Sequence, residues 1–174
     1  MLDKLIKRLN SGDYDAFEKI YDATRKGVYY VALSVLRERS LAEDVMQSTY
    51  IKVLKNASQY KQGTNASAWI LTIAKNEALN LKKYRRREVT YDQDANPVIF
   101  GSTETDDYGL LIDAARKTLP QDEFTILMLI AACGYKRREI AAVLEMPIST
   151  VTWKYNNAIA EMRKQFTYKG GKKK

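Results

Sequence analysis

A chain of 174 residues with 45% apolar and 29% charged residues predicts one or two small folded domains. No apolar run approaches the roughly 20 residues of a membrane span, and no signal peptide opens the chain, so we expect a cytoplasmic protein. Histidine, the commonest general base and metal ligand, is absent. The sequence also contains no glycine-rich phosphate loop, cysteine cluster or nucleophile elbow. We therefore expect a binding protein that is not an enzyme, with no catalytic residues, no metal and no cofactor.

The charge of the chain is divided into three blocks. Residues 1–87 carry net +8, residues 88–115 carry net −7, and residues 116–174 carry net +7. Two basic blocks around an acidic segment indicate two nucleic-acid-binding domains on one tether. The tether, from Glu88 to about Gly109, lacks periodicity and contains Pro97 and Gly101, so we expect it to be largely unstructured. Outside the tether and a basic, disordered tail at residues 169–174, the chain is predicted to be helical.

An amphipathic helix is predicted to begin at Ser40, because Ser40 and Glu43 have the spacing of a capping box. Its core-facing residues are Ala42, Val45, Thr49 and Val53. A second, mixed face is formed by Asp44, Gln47, Ser48 and Ile51. From periodicity alone, this mixed face is equally compatible with contact to a partner and with solvation.

A second amphipathic helix starts near Trp69, which we expect to be a core residue because it begins the apolar stripe. The polar stripe of this helix comprises Asn76, Asn80, Lys83 and Arg87, and it ends in the basic run from Lys82 to Arg87. One or two of these cations could serve the helix dipole alone, but the run exceeds that need. Together with the preceding loop, which contains Tyr60 and Lys61, the stripe is typical of a site that tracks phosphates and holds unpaired bases.

Residues 137–162 predict a helix, a sharp turn at Pro147 and a second helix that Ser149 could cap. The second helix has an inward stripe of Val151, Tyr155, Ala158 and Met162 and turns Thr152, Trp153, Asn156 and Asn157 elsewhere. Such polar side chains can reach base edges, and Asn156 and Asn157 could each bind adenine. A left-handed Glu145 in the turn would cost on the order of 1 kcal/mol. The alternative to a DNA-binding helix-turn-helix is an ordinary helical hairpin.

Three cations, Lys136, Arg137 and Arg138, stand at the predicted start of the first of these helices. The helix dipole disfavours positive charge there, so these residues suggest another use. Contact with DNA phosphates is the simplest, and a merely solvated helix start is the alternative.

In this order and spacing, the motifs resemble the extracytoplasmic-function group of bacterial RNA polymerase sigma factors. The resemblance covers about residues 12–88 and 111–166. Its pieces in the first half are Ala16-Phe17-Glu18-x-x-Tyr21, the run from Ala42 to Val53, and Ala68-Trp69-Ile70-Leu71-x-Ile73-Ala74-x-Asn76. In the second half they are Leu119-Pro120, Ile140-Ala141-x-x-Leu144 and Ser149-Thr150-Val151.

The resemblance implies an all-α protein with two small domains: 1–87, resembling sigma region 2, and 111–168, resembling sigma region 4, joined by the linker 88–110. It implies that the first domain binds the clamp helices of the largest subunit of core RNA polymerase through Asp44, Gln47, Ser48, Ile51 and Lys52. Its implied minus-ten contacts are Tyr60, Lys61, Asn76, Asn80, Lys83, Arg86 and Arg87. The second domain, which also meets the polymerase flap region, would bind the minus-thirty-five element through Lys136, Arg137, Arg138, Ser149, Thr150, Thr152, Trp153, Lys154, Asn156 and Asn157. The acidic linker would thread through the polymerase cleft, or else be a plain solubilising connection.

The departures from the family pattern are concentrated in the recognition helix, where Thr152, Trp153 and Asn157 stand at positions that usually carry Arg or Lys. A shallower salt dependence and an altered base preference are expected. Two alternatives remain: a stand-alone helix-turn-helix regulator that binds an operator as a dimer, and a helical adaptor that binds polymerase without reading DNA. Any anti-sigma factor is expected to be a separate chain, because no zinc-binding or membrane segment is visible.

Overall fold

The predicted helical periodicity produces an all-α structure. The computed structural model describes residues 1–89 and 107–169 and contains no strand within them. Its helices are α1 (Leu2–Asn10), α2 (Asp15–Leu36), α3 (Arg39–Asn56), α4 (Ala66–Val89), α5 (Asp107–Thr118), α6 (Gln121–Ala131), α7 (Arg137–Leu144) and α8 (Ile148–Lys169), with a 3₁₀ turn at Ala57–Gln59. The all-α class is confirmed.

The ends of α4 and α5 reach into the segment that was expected to be linker. Helix α4 continues to Val89, and α5 already begins at Asp107. Residues 90–106 and 170–174 lie outside the described residues, so the expectations of an unstructured linker core and a disordered tail fall there.

The N-terminal group of helices, α1–α4, is built around α2. Helices α1, α3 and α4 all pack against α2, and α3 and α4 also contact each other. The predicted inward stripe of α3 is confirmed, because Ala42, Val45, Thr49 and Val53 are all buried. The predicted capping box at Ser40 is wrong: the N-cap of α3 is Glu38, two residues earlier and in extended conformation. The Ser40 hydroxyl donates to the Glu38 carboxylate at 3.0 Å.

The C-terminal group, α5–α8, contains the helix-turn-helix. Glu145 ends α7 in the left-handed conformation, with φ 55° and ψ 44°, as the turn required. Val151, Ala158 and Met162 are buried along α8, and this confirms its inward stripe. Ser149 does not cap α8, because the helix already begins at Ile148 and the Val151 N–H donates to the Pro147 carbonyl at 3.1 Å.

The two groups of helices pack directly against each other and share buried apolar residues. The α6–α7 connection inserts Tyr135 against Gly27 on α2, where a Cβ atom would lie only 2.8 Å from the tyrosine ring. A glycine at this position is therefore required by the close approach, and it costs α2 some helix propensity. The Tyr135 hydroxyl is buried without a hydrogen-bond partner among the described residues.

Polar contacts also join the two groups at the ends of α2 and α5. Arg37, which ends α2 with φ 61°, donates to the carbonyls of Arg116 and Leu119, the latter at 3.2 Å. Arg116 donates in return to the Arg37 carbonyl. Each guanidinium thus meets the negative end of the other helix, where cations are favoured. Asp113 lies between the two groups and accepts from Arg39 at 3.1 Å.

Candidate nucleic-acid interface and partner face

The mixed face of α3 is exposed along its length. Asp44 and Gln47 are exposed, the Ile51 side chain is 52% exposed, and Ser48 is half-buried with its hydroxyl bonded to the Val45 carbonyl. Lys52 is exposed at the edge of this face and pairs with Glu77 of α4 at 2.6 Å. The resulting surface combines one carboxylate, one amide and an apolar side chain, which is a composition suited to a partner protein.

Leu54 extends this face, although the sequence reading did not include it. The side chain is 40% exposed and follows Ile51 by one helical turn. The i, i+3 spacing from Ile51 could have placed Leu54 on this face. An apolar residue between Lys52 and Lys55 is equally compatible with a buried position in the core, however. We refer below to Asp44, Gln47, Ser48, Ile51 and Leu54 as the α3 face.

The polar stripe of α4 is exposed. Asn76, Asn80, Lys83, Arg86 and Arg87 all lie on accessible surface, and Lys61 is exposed in the loop before the helix. Amide groups on one stripe followed by cations in the last turns can hydrogen-bond bases and hold the adjoining phosphates. The structure therefore brings these six predicted side chains to the surface of one helix and its entry loop.

Tyr60 requires a correction, because its ring does not lie on that surface. The side chain is only 6% exposed, its ring centroid lies 5.2 Å from that of Trp69, and its hydroxyl donates to the Asp3 carboxylate of α1. Burial, with the Asp3 carboxylate acting in the same direction, raises the pKa of Tyr60. The sequence reading placed residues 1–11 outside the recognised pattern and so did not anticipate that α1 covers this ring.

The outward face of α8 begins at its first turn. Ser149, Trp153 and Asn156 are exposed, with Trp153 at 63%, whereas Thr150 and Thr152 are half-buried. The Thr152 hydroxyl donates to the Ile148 carbonyl at 3.0 Å. Ile148, which follows the predicted turn at Pro147, is itself 52% exposed.

Two predicted DNA-contacting side chains of α8 are held by acidic residues of α6. The Asn157 amide donates to the Glu123 carboxylate at 2.9 Å, and Glu123 is 6% exposed. Lys154 pairs with Asp122 at 3.3 Å. The Asn157 amide nitrogen has two N–H donors, and only one of them is engaged by Glu123, so the binding of adenine by Asn157 stays a prediction. These acidic partners lie on α6, two helices earlier in the chain, so periodicity within α8 gives no signal of them.

The three cations at the start of α7 are exposed, as expected for phosphate contact. The Arg137 guanidinium lies 5.5 Å from the centroid of the Tyr155 ring, a cation–π distance. The Lys136 N–H donates to the Glu139 carboxylate at 2.8 Å, so a glutamate one turn on satisfies the helix end that Lys136 cannot cap.

The start of α7 faces the loop before α4. Arg138 and Glu139 line a cleft of about 620 Å³ with the loop from Gly63 to Ser67 and the first residues of α1. Nearby, the Lys75 ammonium donates to the Val143 carbonyl at 3.1 Å and to the Glu145 carboxylate at 3.0 Å. Helix α7 therefore packs beside the loop before α4 and against Lys75, which precedes Asn76 in the chain.

Two further properties of the described residues bear on chemistry. Within residues 1–89 and 107–169, no cluster of three or more cysteine, aspartate or glutamate side chains could hold a metal ion. No helix in those ranges has the length and apolar character of a membrane span.

Comparison with known proteins defines the class of this chain. Residues 20–88, which cover α2 through α4, match the family model of sigma-70 region 2. Among curated proteins, the ECF RNA polymerase sigma factor SigK of Mycobacterium tuberculosis (strain ATCC 25618 / H37Rv) is 27% identical over 171 residues, which cover 93% of this chain and 91% of SigK. The RNA polymerase sigma factor CarQ of Myxococcus xanthus is 27% identical over 143 residues, 79% of this chain and 82% of CarQ.

The fold is also similar to that of solved sigma factors. The sigma factor RpoE of Bartonella quintana, solved with the anti-sigma factor NepR, matches with a TM-score of 0.67 and 23% identity over 88% of this chain and 98% of RpoE. The chain is thus a sigma-70-type transcription initiation factor. Within that class it belongs to the extracytoplasmic-function group of RNA polymerase sigma factors.

Proposed function

We propose that this sigma factor binds core RNA polymerase through the α3 face, recognises a minus-ten element with α4 and a minus-thirty-five element with α8, and promotes DNA melting. It acts in the cytoplasm, where core polymerase works, and contributes binding energy but no catalytic chemistry, cofactor or metal of its own. A stand-alone operator-binding regulator is not favoured, because the matched region 2 segment would have no purpose in it.

The observation that carries the polymerase contact is the exposure of the α3 face inside that matched segment. The opposite side of α3 is fully buried, yet Ile51 is 52% and Leu54 is 40% exposed, beside the carboxylate of Asp44. An apolar centre with a polar rim is the composition of a protein interface. Coverage of the two apolar side chains by the clamp helices of the largest subunit would remove them from water and supply affinity.

The melting function is supported by the surface of α4. Asn76 and Asn80 are exposed one helical turn apart, and cations follow them at the end of the helix. An unpaired base needs amide hydrogen bonds and a phosphate clamp beside it, and the α4 stripe offers both. Because Tyr60 is covered by α1, the stacking partner of such a base is not Tyr60.

The polymerase contact can be tested by replacing Asp44 and Gln47 with alanine and measuring capture of the full-length chain by core RNA polymerase. Both side chains are exposed, so the variant should fold normally and bind core at least tenfold more weakly, the loss of a few charge-assisted hydrogen bonds. Glu18→Ala, on the exposed surface of α2, is the matched control and should bind normally. Undiminished capture of the double variant would refute the assigned face.

A separate anti-sigma factor is a further proposed partner. Between the two groups of helices lies a groove of about 940 Å³, lined by apolar side chains such as Tyr29, Met46 and Met128, with Arg25 and Lys26 also in its lining. An amphipathic helix with acidic side chains on its rim would match this chemistry. RpoE of Bartonella quintana, which shares the fold, was itself solved with an anti-sigma factor.

A further inference from the structure

The first two turns of α8 present large apolar side chains to water. Trp153 is 63% exposed and Ile148 is 52% exposed. Both belong to the helix that we assign to the minus-thirty-five element, where hydrogen-bonding and cationic side chains would be expected. Exposed tryptophan is costly unless a partner covers it, since its ring carries a large apolar area.

The charged and amide groups around these side chains are partly withdrawn from DNA. Lys154 is paired with Asp122, and Asn157 donates to the buried Glu123 carboxylate. The exposed residues at the start of α8 are Ile148, Ser149, Trp153, Asn156 and Asn157, and Thr152 is half-buried. No carboxylate occurs between residues 148 and 160, so the surface does not repel DNA phosphates. It offers apolar area and uncharged polar groups instead of cations.

We propose that Trp153 recognises thymine through its C5-methyl group in the major groove of the minus-thirty-five element. The inference rests on the proposed minus-thirty-five role of α8. In the major groove, the thymine methyl is the apolar feature that distinguishes base pairs, and the first turns of a recognition helix approach the base edges. A tryptophan ring at this position can cover the methyl group and exclude water from it. Trp153 is thus a specificity-determining residue.

The experiment uses the holoenzyme formed by the full-length chain and core polymerase. A minus-thirty-five element is first selected from a randomised promoter library, and each thymine in it is then replaced by deoxyuridine, which lacks only the methyl group. At one or more positions the affinity should fall about fourfold, the factor for burying one methyl group. The same replacement should have no effect on the Trp153→Ala holoenzyme, whose affinity for the unmodified element is already reduced. Trp153→Phe should retain part of the discrimination.

Leu110→Ala is the matched control, because Leu110 is 56% exposed on α5, outside the helix-turn-helix. It should keep the full deoxyuridine penalty. A selected element that lacks A·T pairs, a holoenzyme indifferent to deoxyuridine, or a penalty that persists in Trp153→Ala would overturn the thymine assignment and leave the sigma function intact. Failure of the holoenzyme to select any minus-thirty-five element would instead refute the proposed function of α8, and the inference with it.

Discussion

Because Gly27 has no side chain, Tyr135 can pack against α2, and this contact joins the two groups of helices. In Gly27→Ala, the new Cβ atom would lie 2.8 Å from Cε2 and from the hydroxyl oxygen of Tyr135 and 3.0 Å from Cζ. Ordinary contact between carbon atoms is about 3.5–4.0 Å, so the ring must retreat by roughly 1 Å. Such overpacking costs about 1–3 kcal/mol. Alanine also improves the helix propensity of α2, but that gain is the same whether the groups are packed or apart.

The substitution should therefore shift the balance from packed to separated groups by a factor of roughly 5 to 150. Cys133, the only cysteine of the chain, reports this shift. Burial raises the pKa of its thiol from an ordinary value of 9.0 to about 11, with Lys26 of α2 opposing the change. At pH 8 the thiolate, which is the reactive form, is thereby depleted about a hundredfold. Separation exposes the thiol and restores its ordinary pKa.

The assay is the rate at which Cys133 reacts with a chromogenic disulfide at pH 8, together with the radius of gyration from X-ray scattering. Gly27→Ala should react several-fold to about a hundredfold faster and be larger. Tyr135→Phe should react more slowly, because it removes a hydroxyl that is buried without a partner, a feature that costs about 1–3 kcal/mol. An unchanged rate and radius in Gly27→Ala would refute the reasoning that this contact keeps the groups packed.

Two further predictions concern local contacts. Glu145→Gly should raise the free energy of unfolding by up to about 1 kcal/mol, because glycine relieves the left-handed backbone, while the exposed pair with Lys75 is worth little. Chemical denaturation measures this, and any fall in the free energy of unfolding would contradict it. Tyr60→Phe should lower stability by about 1–2 kcal/mol through the lost bond to Asp3, yet leave promoter opening by holoenzyme unchanged. Impaired opening at unchanged stability would show that Tyr60 reaches DNA.

Periodicity predicted the helices and their inward faces well, because helical amphipathicity is a local property of the chain. The buried stripes of α3 and α8 could both be predicted from the spacing of neighbouring residues. Helix starts were predicted less well. Ser40 and Ser149 have the chemistry of caps, but both lie one or two positions inside their helices. The first residue of a helix also depends on the conformation of the residues before it, so a suitable capping side chain does not fix the helix start by itself.

The state of individual site residues could not be predicted, because it depends on contacts distant in sequence. Tyr60 is covered by Asp3, and Asn157 is held by Glu123 of another helix. The periodicity of one helix shows which side chains point outward. It does not show which of these side chains are hydrogen-bonded to another helix. The packing of the two helical groups was missed for the same reason. Neither the small size of Gly27 nor the ring of Tyr135 indicates by itself that each fits the other.

The cleft shared by the start of α7 and the loop before α4 has a consequence for how this sigma factor shares polymerase with others. This cleft and the bonds from Lys75 to Val143 and Glu145 show that α7 packs against α4, so we expect the packed form to open before promoter DNA occupies the surfaces proposed on α4 and α8. The free energy of opening reduces the net free energy of promoter binding. The apparent affinity is therefore lowered in proportion to the fraction of molecules that are open. Gly27 and Tyr135, whose contact joins the two groups of helices, are then expected to influence how this factor competes for a limited pool of core enzyme. Substitutions at that contact are expected to change how strongly its promoters are transcribed at a given protein level without altering which promoters are chosen.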